Sequence, residues 1–172
     1  MRGQIILSHG ADTGPDATKV SLLAEHAETL GWRAIRPDYR REDALGLAAA
    51  VPGRLEKLCA TIDACAEPPV LAGSSLGAFV SALASCRRKV AGLFLLATPT
   101  AIPGYAQPLD LATDAPSLFI HGWRDAICPL EALLGFAGNR RLPLLILDDD
   151  HRLGASLPTL AAQLQLFLDT RA

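Results

Sequence analysis

No apolar stretch in the 172 residues is long enough to cross a bilayer, which takes about 20 consecutive apolar residues. Met1-Arg2-Gly3-Gln4 runs directly into a strand-like Ile5-Ile6-Leu7, with no apolar signal segment or cleavage site. The expectation is a cytoplasmic protein with no membrane partner. Charge of one sign is also scarce. Sixteen Lys and Arg against 18 Asp and Glu leave a formal net charge of −2, which gives no footprint for nucleic acid or an acidic membrane. The basic clusters Arg40-Arg41, Arg87-Arg88-Lys89 and Arg140-Arg141 are short and read as solvated helix ends and loops. Metal-ligand spacing is missing from the four cysteines, Cys59, Cys65, Cys86 and Cys128. They read as reduced and structural, and no metal is called for. Cys128 differs from the rest because it follows a predicted active-site loop. Repeats, low-complexity tracts and linkers are absent too, so residues 1–172 are expected to form a single domain. A chain of this size buries about 70% of its unfolded surface, enough for its own core.

One pentapeptide organises the chain: Gly73-Ser74-Ser75-Leu76-Gly77. Before it runs the short apolar stretch Pro69-Val70-Leu71-Ala72, and after it Ala78 to Ala84 has helical spacing. This is a Gly-x-Ser-x-Gly pattern between a buried strand and a helix. A nucleophile on so sharp a turn holds strained dihedrals. Glycines two positions either side let strand and helix approach closely. The helix N-terminus leaves N–H groups free to meet an anion. The bland alternative is a small-residue turn in an ordinary doubly wound sheet. Ser74 is one position off the pattern and reads as support for the turn rather than as a nucleophile.

The rest of the chain alternates strand and helix. Gln4 to Ser8 reads as a strand ending in His9-Gly10, followed by the loop Ala11 to Pro15. Asp16 is the expected N-cap of a helix from Ala17 to Leu30, stopped by Gly31. Trp32 to Arg36 reads as strand two, and Asp38 to Gly46 as irregular. Pro52 suits the first turn of a helix that continues to about Glu67. Val70 to Gly73 is strand three, followed by a helix to about Arg88. Val90 to Ala97 reads as a central parallel strand. Thr98 to Pro116 has no helical period and reads as a long connection, a type that is often functional. Ser117 to Ile120 is strand five, then a helix runs from Pro129 to Gly138. Leu142 to Leu147 is strand six, and a last helix ends at Leu168. Strict alternation implies a doubly wound, mostly parallel six-stranded sheet with helices on both faces. Ligands then belong at the carboxyl ends of the strands.

The chemically interesting residues fall there. His9 follows strand one, Ser75 strand three, Asp125 strand five and His151 strand six. A hydroxyl needs an adjacent base to become a nucleophile, and the base needs an acceptor that fixes its tautomer. Alternatives remain at this level. Asp148, Asp149 and Asp150 are rival acids, and His151 has the reading of a solvated loop histidine. His9 and His121 are read as loop anchors, and Phe79, Phe94, Phe119 and Phe136 as core.

These residues resemble the α/β-hydrolase family, and the resemblance covers nearly the whole chain. The motifs are His9-Gly10, Gly73-Ser74-Ser75-Leu76-Gly77, His121-Gly122-Trp123-Arg124-Asp125 and His151. The stretch Leu30-Gly31-Trp32 through Pro37-Asp38-Tyr39-Arg40 looks like the small dienelactone-hydrolase-like and carboxylesterase-like members. The resemblance implies Ser75 as nucleophile, Asp125 as acid and His151 as base. It implies an oxyanion hole from the backbone N–H groups of Leu76 and Ala11. The family's first two antiparallel strands are missing, so the strand order should be 2-1-3-4-5-6. The proline-rich loop stands where a helical cap would be, so the site should be shallow and open.

The expected activity is that of a serine hydrolase acting on a small carboxylic ester or thioester, without a cofactor. A hydrolase-fold protein that binds a small ligand or protein partner without turnover is the rival from another class. Cysteine chemistry at Cys128 lacks a nucleophile turn before it. Peptidase and acyltransferase activities share the same acyl-enzyme.

Overall fold

The computed structural model describes residues 1–171. Six strands form one sheet: β1 (Gly3–Ser8), β2 (Trp32–Ile35), β3 (Val70–Ser74), β4 (Gly92–Leu96), β5 (Ser117–Gly122) and β6 (Leu144–Leu147). Every pairing is parallel, in the order β2-β1-β3-β4-β5-β6. This is the order expected from the sequence. The described residues hold six helices, five between strands and one after β6: α1 (Thr18–Thr29), α2 (Arg40–Asp43), α3 (Leu47–Asp63), α4 (Leu76–Ser85), α5 (Leu130–Arg140) and α6 (Leu157–Asp169).

Side chains alternate across a strand, so the continuous apolar runs of the central strands feed two cores at once. Ile6, Leu71, Leu93, Leu95 and Phe119 meet α3, α4 and Leu133 of α5 on one face. Ile5, Leu7, Val70, Ala72, Phe94, Leu96 and Ile120 meet α1 and α6 on the other. α1 contributes Val20, Leu23, Ala24 and Ala27, and α6 contributes Leu160, Leu164, Phe167 and Leu168. The long segment after β4 has neither helix nor strand. It is pinned all the same, because Ile102, Leu109, Leu111 and Ala115 are buried against the α3–α4 face.

Four local expectations need correction. Asp16 is not the N-cap of α1. Ala17 holds that position without a side-chain bond, because Ala17 N–H closes a turn onto the Gly14 carbonyl and leaves Asp16 inside the turn. Pro52 lies inside α3 rather than in its first turn. Leu47 and the alanines 48–50 are strong helix formers, so the helix starts as soon as Gly46, at φ 95°, turns the chain. Residues 38–46 are not wholly irregular, since α2 supplies one helical turn. Finally, α3 and α4 end at Asp63 and Ser85, each three residues short of expectation or more.

Candidate active site

Parallel strands deliver all their carboxyl ends to one edge, and β1, β3, β5 and β6 each hand the chain to a site loop there. Ser75 sits between β3 and α4 at φ 54° and ψ −120°, a strained conformation for a residue with a Cβ. The turn is locked from both sides. Ser75 N–H donates to the Leu96 carbonyl at 2.9 Å, and the Ser75 carbonyl accepts from Ala78 and Phe79 N–H. Space for it comes from two glycines. A Cβ at Gly73 would lie 2.5 Å from the Gly77 carbonyl oxygen, and one at Gly77 would strike the carbonyls of Ser8 and His9.

Ser75 Oγ lies 3.0 Å from His151 Nε2, and His151 Nδ1 lies 2.7 Å from Asp125 Oδ2. The three residues of the sequence reading therefore meet in one hydrogen-bonded line. Asp125 is buried and its oxygens are fully engaged. Oδ1 accepts the Ile127 and Cys128 N–H groups at 2.9 and 2.7 Å. His121 Nε2 donates to the Cys128 carbonyl at 2.8 Å and sits 3.2 Å from Asp125 Oδ2. His121 is thus an anchor, as expected.

The rival acids have other partners. Asp148 is exposed and pairs with Arg124. Asp149 is buried but accepts from Ser156 Oγ and from Asp150 N–H. Burial works against its charge, but these hydrogen bonds outweigh burial and hold its carboxyl below the ordinary range. Asp150 accepts from Arg152 N–H. The two loops that bring Asp125 and His151 together touch at Gly122, where a Cβ would collide with the Asp149 carbonyl.

The loop after β1 faces the nucleophile. A Cβ on Gly10 would be 3.6 Å from Ser75 Cβ. The N–H groups of Leu76 and Ala11 have no acceptor within the protein among the described residues. A buried frame turns the neighbouring carbonyls away. Arg54, with none of its surface exposed, donates to the His9 and Gly10 carbonyls at 2.7 and 3.0 Å. The same guanidinium clasps Asp43 through two bonds of 2.6 and 2.5 Å and lies 4.7 Å above the Tyr39 ring. Tyr39 N–H donates to His9 Nε2 at 3.0 Å, which puts the ring proton on Nδ1, bonded to the Gly10 carbonyl at 2.8 Å. Burial lowers the His9 pKa, so the imidazole stays neutral.

Two further groups lie at the site, Lys19, which the sequence did not point to, and Cys128, which it did. Lys19, on α1, donates to the carbonyl of His151 at 3.3 Å. Burial brings its pKa down to about 8, against the attraction of Asp125, Asp149 and Asp150. Cys128 places its sulfur within 4.8 Å of ligand atoms of Asp125 and His151. Burial and the charge of Asp125 push its thiol up to about 12, so it is no thiolate nucleophile. Arg54 had a signal in the sequence: it occupies the middle of an i, i+4 series with Ala50 and Leu58 on the apolar stripe of α3. Lys19 had none, since its partner is 132 residues away.

A family model described as an alpha/beta hydrolase domain matches residues 1–160. Among solved structures, a protein from Xanthomonas campestris pv. campestris described as belonging to the alpha/beta hydrolase superfamily is 40% identical. It covers 98% of this chain and 99% of its own, with a TM-score of 0.92. An alpha-beta serine hydrolase homologue from Coxiella burnetii is 23% identical, covering 98% of this chain and 86% of its own, with a TM-score of 0.75. A lidless serine hydrolase, also from Xanthomonas campestris, is 18% identical over 96% of this chain and 81% of its own, with a TM-score of 0.73. The curated proteins gave no match. No helix among the described residues is long and apolar enough to cross a membrane.

Proposed function

Since the chain belongs to the alpha/beta hydrolase family, we propose that it is a serine hydrolase of small carboxylic esters or thioesters. The observation that carries this reading is the line of contacts from Ser75 Oγ through His151 to Asp125, at 3.0 and 2.7 Å. The first is within reach for proton transfer, and the second is a hydrogen bond that orients the ring.

In the proposed mechanism Ser75 Oγ attacks the acyl carbonyl carbon while His151 Nε2 takes its proton. The Leu76 and Ala11 N–H groups meet the charge that develops on the carbonyl oxygen. One such donor typically contributes about 2.7–4 kcal/mol to lowering the barrier. Asp125 keeps His151 in the Nδ1–H tautomer and stabilises the imidazolium. The imidazolium protonates the leaving oxygen or sulfur, and the acyl group stays on Ser75. His151 then activates a water, and its attack releases the acid.

The open edge of the sheet favours small acyl groups. A concave surface of about 920 Å³ lies at the opposite end, lined by Ser85, Arg87, Asp110 and Arg140. α4 runs back from Ser75 to that end, so a substrate there would be a helix length from the nucleophile.

The test is turnover of short aryl esters and thioesters. Ser75→Ala is expected to abolish it in a folded protein. Full activity of Ser75→Ala would overturn the assignment. A folded protein without turnover on any acyl substrate would favour a binding role.

A further inference from the structure

Cys128 has no part in the mechanism above, yet its sulfur clusters with the acid and the base. Ligand atoms of Asp125, Cys128 and His151 all lie within 4.8 Å of one another. Asp125 cannot easily turn to a metal, because both of its oxygens are already bonded. It can do what carboxylates do behind metal-bound histidines, which is to accept the proton of the other ring nitrogen and orient the ring. That contact is already made, at 2.7 Å. It leaves His151 Nε2 facing Ser75 Oγ, with the Cys128 sulfur in the same cluster of ligand atoms.

We propose that His151 Nε2 and Cys128 Sγ form a binding site for a thiophilic divalent cation, zinc or cadmium, in front of Ser75. The Ser75 oxygen and water complete the coordination. A nitrogen and a sulfur are the donor types such cations select. Metal–ligand bonds to such donors are about 2.0–2.3 Å, so the two side chains close on the cation as it binds. On binding, a metal–sulfur bond forms and the thiol proton leaves to water; no electron is transferred. The metal also occupies the lone pair of Nε2 that would take the Ser75 proton. The cation is therefore a reversible inhibitor, and only this consequence rests on the serine-hydrolase reading.

The experiment is a cadmium and zinc titration of metal-stripped protein, with Cys128→Ala alongside. Two signals are read: the ultraviolet thiolate-to-cadmium absorption band and the rate on a short aryl ester. The wild type is expected to show a saturable band, and zinc is expected to stop turnover, with recovery on adding a chelator. Cys128→Ala is expected to lose the band and, measured against its own metal-free rate, to lose most of its sensitivity to zinc. Equal zinc sensitivity in the variant, or a band of the same intensity, would overturn the proposal. Cys128→Ser, close in size with a harder donor, serves if the alanine variant does not fold. If the metal-free wild type hydrolyses no ester, the hydrolase reading fails while the band still decides the metal site.

Discussion

Ser75 is held by its backbone before it is helped by any side chain. Its strained dihedrals point the hydroxyl out of the turn, and residues as remote as Arg54 and Lys19 then set the surroundings. Arg54 carries a sharp expectation. Lysine retains the charge but cannot supply the planar fork that reaches Asp43, the His9 carbonyl and the Gly10 carbonyl together. Arg54→Lys is expected to lower kcat by up to about 100-fold with little change in KM, because the Ala11 donor drifts. Arg54→Ala is expected to lose about 3–5 kcal/mol of stability, since Asp43 is left without its partner. Denaturant unfolding and steady-state kinetics on the same preparations separate the two effects. A lysine variant with wild-type kcat would remove Arg54 from the positioning of that loop.

Lys19 is expected to act through pH. Its folded-state pKa, about 8, lies below the ordinary value of 10.5. Between these values the unfolded chain binds the proton and the folded chain does not, so stability gained from this group rises with pH across that window. The burial penalty is fully present below pH 8 and fades toward the ordinary value. Lys19→Met is therefore expected to raise the unfolding midpoint more at pH 7 than at pH 10, while slowing turnover by freeing the His151 loop. An identical shift at both pH values would contradict the account.

At the scale of elements, α4 presses on the end of β1. Gly77 permits this, and the pair it makes with Gly73 was legible in the sequence because the Gly-x-Ser-x-Gly spacing states the steric need directly. Gly77→Ala is expected to cost about 1–3 kcal/mol from overpacking. It is also expected to reduce turnover, because the displaced carbonyls are those of Ser8 and His9 beside the oxyanion loop. Urea unfolding of the variant checks the first effect, and a wild-type midpoint would contradict the close approach. Helix starts were less legible. Asp16 carries the residue type of a cap but belongs to a turn, and Pro52 carries the residue type of a first turn but sits five residues in. A residue type reports what a position tolerates, and the neighbours decide where the helix begins. Arg54 shows the same limit in another form. Its place on an apolar stripe was visible, but the carbonyls it holds are 44 and 45 residues away.

For the whole molecule, the strand order was readable because strict strand–helix alternation with right-handed crossovers leaves few topologies. The candidate site was readable for a related reason. A parallel sheet collects strand ends at one edge, so Ser75, Asp125 and His151 had to come near one another if the strands were correctly placed. The supporting shell of Arg54, Tyr39, Asp43 and Lys19 was not readable, because it comes from α1, α2, α3 and the turn after β2. Those elements reach the site by packing, which no local pattern records. The measurement that bears most directly on the central claim is labelling of the folded protein with a fluorophosphonate probe, with the modified peptide sequenced. The account expects stoichiometric modification at Ser75, absent in Ser75→Ala. Folded protein that stays unlabelled, or carries the label on another residue, would contradict it.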